Sequence, residues 1–249
     1  MRALVIRILS TCLMALFAVT AMAQNNSAIV PAVKMDRNDP TKPNKGFLER
    51  HESFVQRVKQ GNADLLLIGD SITHGWEKSG AAVWDKYYAP RNAVNLGIGG
   101  DRTQHVLWRF LNGEIDGISP KVAVIMIGTN NSRDNTSEEI AAGVTAIVQM
   151  LRKELPMTKI LLLAIFPRGA DVNDELRIKN EAANAIIGNL DDGQMIRFLN
   201  INNAFLNPDG VLPKDIMPDL LHPKEVGYGI WARTMEPTLS RMMGDTPVQ

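Results

Sequence analysis

Four short segments hold residue types able to do nucleophilic chemistry on a carbonyl. The first is Gly69-Asp70-Ser71-Ile72-Thr73. A serine on a tight strand-to-helix turn would expose its hydroxyl above a sheet, with its N–H facing an anion at the helix start. Asp70 or Ser71 could equally do no more than cap that helix. The second is Asn95-Leu96-Gly97-Ile98-Gly99-Gly100-Asp101, where glycine lets the backbone approach a ligand and present an N–H. A turn that needs positive φ would ask for the same glycines. The third is Gly128-Thr129-Asn130-Asn131, whose Asn130 amide can donate a hydrogen bond or form an Asx-turn. The fourth is Asp219-Leu220-Leu221-His222-Pro223. Histidine is the usual general base near neutral pH, and a carboxylate three residues earlier can hold its ring in one tautomer. The alternative is a surface histidine beside a capping aspartate. His51, His74 and His105 lack this spacing.

Two further chemistries are disfavoured. The glycine segment does not follow G-x-G-x-x-G, and no acidic residue is convincingly placed for a ribose, so no dinucleotide cofactor is expected. No two of the four histidines share a ligand spacing, so no metal is expected either.

The elements that must position these residues follow from hydropathy. Continuous apolar runs at 64–69, 122–127 and 160–166, with weaker ones at 93–96 and 195–201, suit strands buried on both faces. Helix-like patterns lie between them, at 81–88, 103–111, 137–155, 175–190 and 223–243. An earlier helix begins near Phe47 and stops at Gly61-Asn62. Alternating β and α elements predict a parallel sheet with helices on both faces. In such sheets ligands bind at the carboxyl ends of the strands, where all but the last of the four segments fall.

Residues 1–23 read as a secretory signal peptide. Arg2 and Arg7 precede an apolar stretch, and Ala21-Met22-Ala23 is an A-x-A cleavage pattern. Cleavage would release a slightly acidic protein to the periplasm or the medium, with no stable membrane anchor. Residues 24–45 are polar and Pro-containing and look like a loose leader, which leaves 46–243 as one domain. Lys+Arg and Asp+Glu both number 27 and aromatics make up 6%, so neither a basic surface nor a stacking platform favours nucleic acid. The single cysteine, Cys12, can form no intrachain disulfide.

Taken together and in this order, the four segments resemble the SGNH family of the GDSL hydrolases. The resemblance implies a flavodoxin-like three-layer α/β/α sandwich and an esterase. It implies that Ser71 is the nucleophile, His222 its base and Asp219 the residue that orients His222. The Ser71 N–H, the Gly100 N–H and the Asn130 side chain would form the oxyanion hole. A closer likeness, over about 64–242, is to the catalytic subunits of platelet-activating-factor acetylhydrolase. It rests on the glycine segment followed by His105-Val106-Leu107-Trp108-Arg109, on Ile165-Phe166-Pro167-Arg168-Gly169 and on Lys179-Asn180. That likeness implies that Ile72, Thr129 and Leu221 close a small acyl pocket favouring acetyl, and it admits a homodimer. Export points to acetyl esters on carbohydrates. A lipid acylesterase, or a non-catalytic binding module on the same fold, is the alternative.

Overall fold

The structure, a computed structural model, describes residues 26–249. The signal peptide expected over 1–23 lies outside the described residues, as does Cys12.

Five strands make one parallel sheet. They are β1 (Leu65–Gly69), β2 (Ala93–Gly97), β3 (Val122–Met126), β4 (Lys159–Leu163) and β5 (Ile196–Leu199), in the order β2-β1-β3-β4-β5. Leu67 lies between Asn95 of β2 and Val124 of β3. The helices are α1 (Lys45–Lys59), α2 (Ser71–His74), α3 (Ala81–Tyr87), α4 (Thr103–Leu111), α5 (Ser137–Glu154), α6 (Glu175–Ile187) and α7 (Glu225–Met243).

Side chains alternate across a strand, so a sheet with helices on both sides needs apolar residues in both phases. Leu66 and Ile68 enter one core with Phe54 of α1, Leu107 of α4, Val144 of α5 and Ile187 of α6. Leu65 and Leu67 enter the other with Tyr87 of α3 and Trp231 of α7. Trp76 packs there against Tyr228 and Trp231, with ring centroids 4.5 and 4.9 Å apart. The result is the expected three-layer α/β/α sandwich. Because β2 and β3 flank β1 on opposite sides, the chain turns opposite ways after successive strands. In open sheets with such a reversal, ligands bind outside the carboxyl ends of the strands, here those of β1, β2 and β3.

Two expectations need correction. The fourth apolar run, 160–166, is a strand only as far as Leu163. Beyond it, side chains replace the ladder. The Asn184 carbonyl oxygen accepts the Ile165 N–H, while the Asn184 and Asn202 amides donate to the Ile165 carbonyl. The described part of the polar leader is also not loose. Asn26 caps a short 3₁₀ turn, Ser27–Ile29, whose Ala28 is fully buried. The Ala28 carbonyl accepts from Thr103 Oγ1 at 2.8 Å, and the Ala32 N–H donates to the Gln104 carbonyl at 3.1 Å. Polar groups, rather than an apolar run, hold this segment to α4.

The outer strand β5 is closed off by its own approach loop. Asp192 Oδ1 accepts the Ile196 N–H and Asp191 Oδ2 accepts the Phe198 N–H, at 2.8 and 2.9 Å. The Ile196 carbonyl in turn accepts the Asp192 N–H at 3.1 Å.

Candidate active site

Ser71 stands where β1 gives way to α2. Asp70 caps that short helix, its Oδ1 accepting the Ile72 N–H at 2.9 Å. The capping alternative therefore applies to Asp70 and leaves the Ser71 side chain unencumbered. α2 is pressed against the end of β2: a Cβ on Gly97 would come within 2.3 Å of the His74 nitrogen, so only glycine fits. From behind, Tyr228 of α7 donates to the Ile72 carbonyl at 2.7 Å.

Ser71, His222 and Asp219 form one hydrogen-bonded chain, although 151 residues separate the serine from the histidine. Ser71 Oγ lies 2.8 Å from His222 Nε2, and His222 Nδ1 lies 2.6 Å from Asp219 Oδ2. A carboxylate can only accept, so Nδ1 carries the proton and Nε2 is left to accept from the serine hydroxyl. Burial opposes the charge on Asp219. Hydrogen bonds from the His222 ring, the His222 N–H and the Leu221 N–H outweigh it and hold the carboxyl below its ordinary range. Between the two, Leu220 adopts φ +60°, a left-handed conformation uncommon for a branched side chain. Its N–H donates to the Met217 carbonyl at 2.9 Å, and its own carbonyl accepts the Gly169 N–H at 3.0 Å.

The segments that carry the three groups expected around an oxyanion are neighbours: a Cβ on Gly99 would lie 4.0 Å from the Ser71 Cβ, and the Asn130 amide reaches Asp101 and Asp70. Among the described residues neither the Ser71 N–H nor the Gly100 N–H has a hydrogen-bond acceptor. Gly100 has φ +75°, which glycine reaches without strain. Asn130 Nδ2 donates to the Asp101 carbonyl at 2.9 Å and faces Asp70 Oδ2 at 3.4 Å. The second contact is too long for a strong bond, so that N–H can be given to a ligand.

Several residues outside the expected triad and oxyanion hole hold this arrangement. Asp70 is fully buried, and burial pushes its carboxyl up to about 6 against the Ile72 N–H and the charges of His222 and Arg168. Arg168 Nη1 donates to the carbonyl and to Oγ1 of Thr129, each at 3.1 Å, and Asn180 donates to that Oγ1 at 3.2 Å. Lys179 Nζ donates to the Ser132 carbonyl at 2.7 Å. Arg168, Lys179 and Asn180 belong to segments that carried the family likeness, but residue type alone gave them no task. Behind the glycine segment, Arg109 pairs with Asp101 at 3.1 Å and with Glu114 at 2.5 Å, all three fully buried.

The residues expected to line an acyl pocket divide. The Ile72 side chain is 1% exposed and belongs to the core beside Trp76. One residue along a helix is a rotation of about 100°, which carries Ile72 away from the direction of Ser71. Thr129 is also closed to solvent, its hydroxyl taken by Arg168 and Asn180. Leu221, next to His222, is the one that is partly exposed, and it also packs against the core that holds Ile72. The remaining histidines are engaged elsewhere: His51 with Glu114, His74 near Glu77, and His105 accepting the Arg102 N–H.

The chain is similar to known proteins over most of its length. Residues 67–230, which include every residue of the hydrogen-bonded chain and the groups around the oxyanion, match the GDSL-like Lipase/Acylhydrolase family. Platelet-activating factor acetylhydrolase IB subunit alpha2 of Rattus norvegicus is 34% identical over 228 residues, covering 91% of this chain and 96% of that protein. A GDSL-like lipase from Bacteroides thetaiotaomicron superposes with a TM-score of 0.63 at 20% identity, over 79% of this chain and 97% of the other. An acetylxylan esterase from Geobacillus stearothermophilus gives 0.59 at 21%, over 76% and 97%. These two likenesses show a shared fold. The chain belongs to the GDSL-like lipase/acylhydrolase family and is a carboxylic ester hydrolase.

Proposed function

We propose that this protein is an exported serine esterase that removes short acyl groups, chiefly acetyl, from carbohydrates. The observation that carries the reading is the unbroken chain from Ser71 Oγ through the His222 ring to Asp219, at 2.8 and 2.6 Å.

In this mechanism Ser71 Oγ attacks the acyl carbon while His222 Nε2 takes its proton. Asp219 stabilises the imidazolium. The carbonyl oxygen becomes an oxyanion held by the Ser71 N–H, the Gly100 N–H and Asn130 Nδ2. The intermediate collapses as His222 returns the proton to the departing alcohol, leaving an acyl-serine. Water, deprotonated by His222, attacks that ester, and a second collapse restores Ser71 and releases the acid.

Export is supported by the character of residues 1–23, and a carbohydrate substrate by the combination of export with short-acyl chemistry. The relatives described as platelet-activating factor acetylhydrolases favour a second reading, a lipid acylesterase. A phosphonate probe should label the wild type and not Ser71→Ala. Turnover should then be compared across acetylated sugars, choline lipids, and nitrophenyl esters of short and long chain. Acetylated sugars turned over faster than choline lipids support the carbohydrate assignment, and the reverse replaces it with the lipid one. An unlabelled, inactive wild type would indicate a binding module.

A further inference from the structure

The loop that carries Gly100 is held by cations at three carbonyls. Arg109 Nη1 donates to the Leu96 carbonyl at 3.0 Å, Arg50 Nε to the Gly97 carbonyl at 2.7 Å, and Lys34 Nζ to the Gly99 carbonyl. The fourth, that of Ile98, accepts the Asp101 N–H at 3.1 Å. Every carbonyl from Leu96 to Gly99 is thus engaged, while the Gly100 N–H has no acceptor among the described residues.

Lys34 comes from the docked leader and is fixed there. Its carbonyl accepts the Asn44 N–H at 2.7 Å, and the next residue, Met35, bridges antiparallel to Pro43. Asn44 also caps α1 through the Phe47 N–H at 2.9 Å. The Lys34 side chain is more than half buried, and burial lowers its pKa despite the nearby carboxylates of Asp101 and Asp70. No carboxylate of the described residues lies within 4 Å of its ammonium group, so Lys34 is not serving an ordinary ion pair. Among the described residues its one hydrogen-bond acceptor is the Gly99 carbonyl.

A trans peptide is planar, and its C=O and N–H point in opposite directions. A cation fixed on the Gly99 carbonyl therefore fixes the direction of the Gly100 N–H and polarises it toward the other side. We propose that Lys34 is a positioning residue for the oxyanion hole: by gripping the Gly99 carbonyl it aims the Gly100 N–H at the developing negative charge. This rests on the reading of Gly100 as an oxyanion donor. It gives the polar leader a part in the chemistry while keeping Lys34 itself out of contact with the reacting atoms.

The test compares Lys34→Met, Lys34→Gln and Lys34→Arg in the full chain, with Ser71→Ala and Asn130→Ala alongside, on nitrophenyl acetate. Rates are expressed per phosphonate-titrated site, so that only folded enzyme is counted, and for Ser71→Ala, which the probe does not label, per mole of protein. Losing a whole oxyanion donor costs about 10²–10³ in kcat. Misaiming one should cost about ten- to a hundredfold for Lys34→Met, with KM changed less than about twofold. Lys34→Arg should recover most of the loss, and Lys34→Gln, which keeps a donor without the charge, should fall between. Wild-type kcat in Lys34→Met beside an inactive Ser71→Ala and an Asn130→Ala slowed by about 10²–10³ overturns the proposal and leaves the triad standing. A loss confined to KM also overturns it, by making Lys34 a substrate contact. Should Lys34→Met not fold, a Lys34→Gln variant with unchanged kcat, or a Lys34→Arg variant no faster than Lys34→Gln, decides against the proposal. An active Ser71→Ala would instead refute the serine mechanism itself.

Discussion

Asp219 holds His222 at two points: Oδ1 accepts the backbone N–H at 2.7 Å while Oδ2 faces ring Nδ1 at 2.6 Å. The first contact sets the turn and the second sets the tautomer. Asp219→Asn should separate them, because an amide keeps one acceptor oxygen for the backbone and turns a donor toward Nδ1. The ring would then be pushed to the wrong tautomer with its backbone in place. We expect kcat to fall by up to about 10⁴-fold, with little change in thermal midpoint. A fully active Asp219→Asn would mean that another group orients His222.

Asn130→Ala should lower kcat by about 10²–10³ and change KM much less, since the donor acts mainly on the transition state. Asn130 Nδ2 also ties the Asp101 carbonyl at 2.9 Å, so loop order needs its own check. Steady-state kinetics with hydrogen exchange over 98–103 provide it. A loss seen only in KM would show that Asn130 binds the ester without stabilising its oxyanion.

Asp70 gives the fold a specific dependence on pH. In the folded protein its carboxyl is pushed up to about 6, whereas its ordinary value is 3.8. Between these values the folded state binds a proton that the unfolded chain releases, so stability falls as pH rises. The contribution is fully present below the ordinary value and lost as pH passes about 6. Asp70→Asn removes this one group. The stability of the variant relative to wild type should therefore rise between pH 4 and pH 7, by up to about 3 kcal/mol for a shift of this size. Urea unfolding at a series of pH values measures the difference, and a flat difference would show that Asp70 is ionised throughout.

Leu221 is the one partly exposed member of the trio expected to bound the acyl group, and it packs against the core beneath it. Fitting a longer chain against packed side chains typically costs about 1–3 kcal/mol, or roughly ten- to two-hundredfold in specificity. Acetyl nitrophenyl ester should therefore be preferred over octanoyl ester. Leu221→Ala should narrow that preference more than it lowers acetyl turnover. Equal kcat/KM for both esters in the wild type would place the acyl group in open solvent and remove the basis for an acetylesterase.

The sheet was legible because strands buried on both faces must be apolar in both phases, as Leu65-Leu66-Leu67-Ile68 are. The four chemical segments were legible because each depends on a particular residue type at a strand end or turn. Lys34 and Arg50 were not. They act on main-chain carbonyls 65 and 47 residues away, and a carbonyl has no residue type to read. The leader's docking was hidden for a related reason: Asn26 donates to the Glu139 carbonyl, Ser27 accepts from Asn135 and Thr103 donates to the Ala28 carbonyl, polar groups that look solvated in a linear sequence. Ile72 shows a limit of another kind. Adjacency to Ser71 in sequence says nothing of direction, and one step of helix rotation sends it into the core.

The self-closed outer strand bears on behaviour at high concentration. A sheet edge with vacant amides is a template on which a neighbouring chain can add a strand, which is the first step toward aggregates. In β5 the outward N–H groups of Ile196 and Phe198 are already taken by Asp192 and Asp191, and the outward Ile196 carbonyl by the Asp192 backbone. A would-be partner strand finds no donor to pair with and meets two carboxylates instead. Two adjacent aspartates at one turn thus block strand addition at this edge of the sheet.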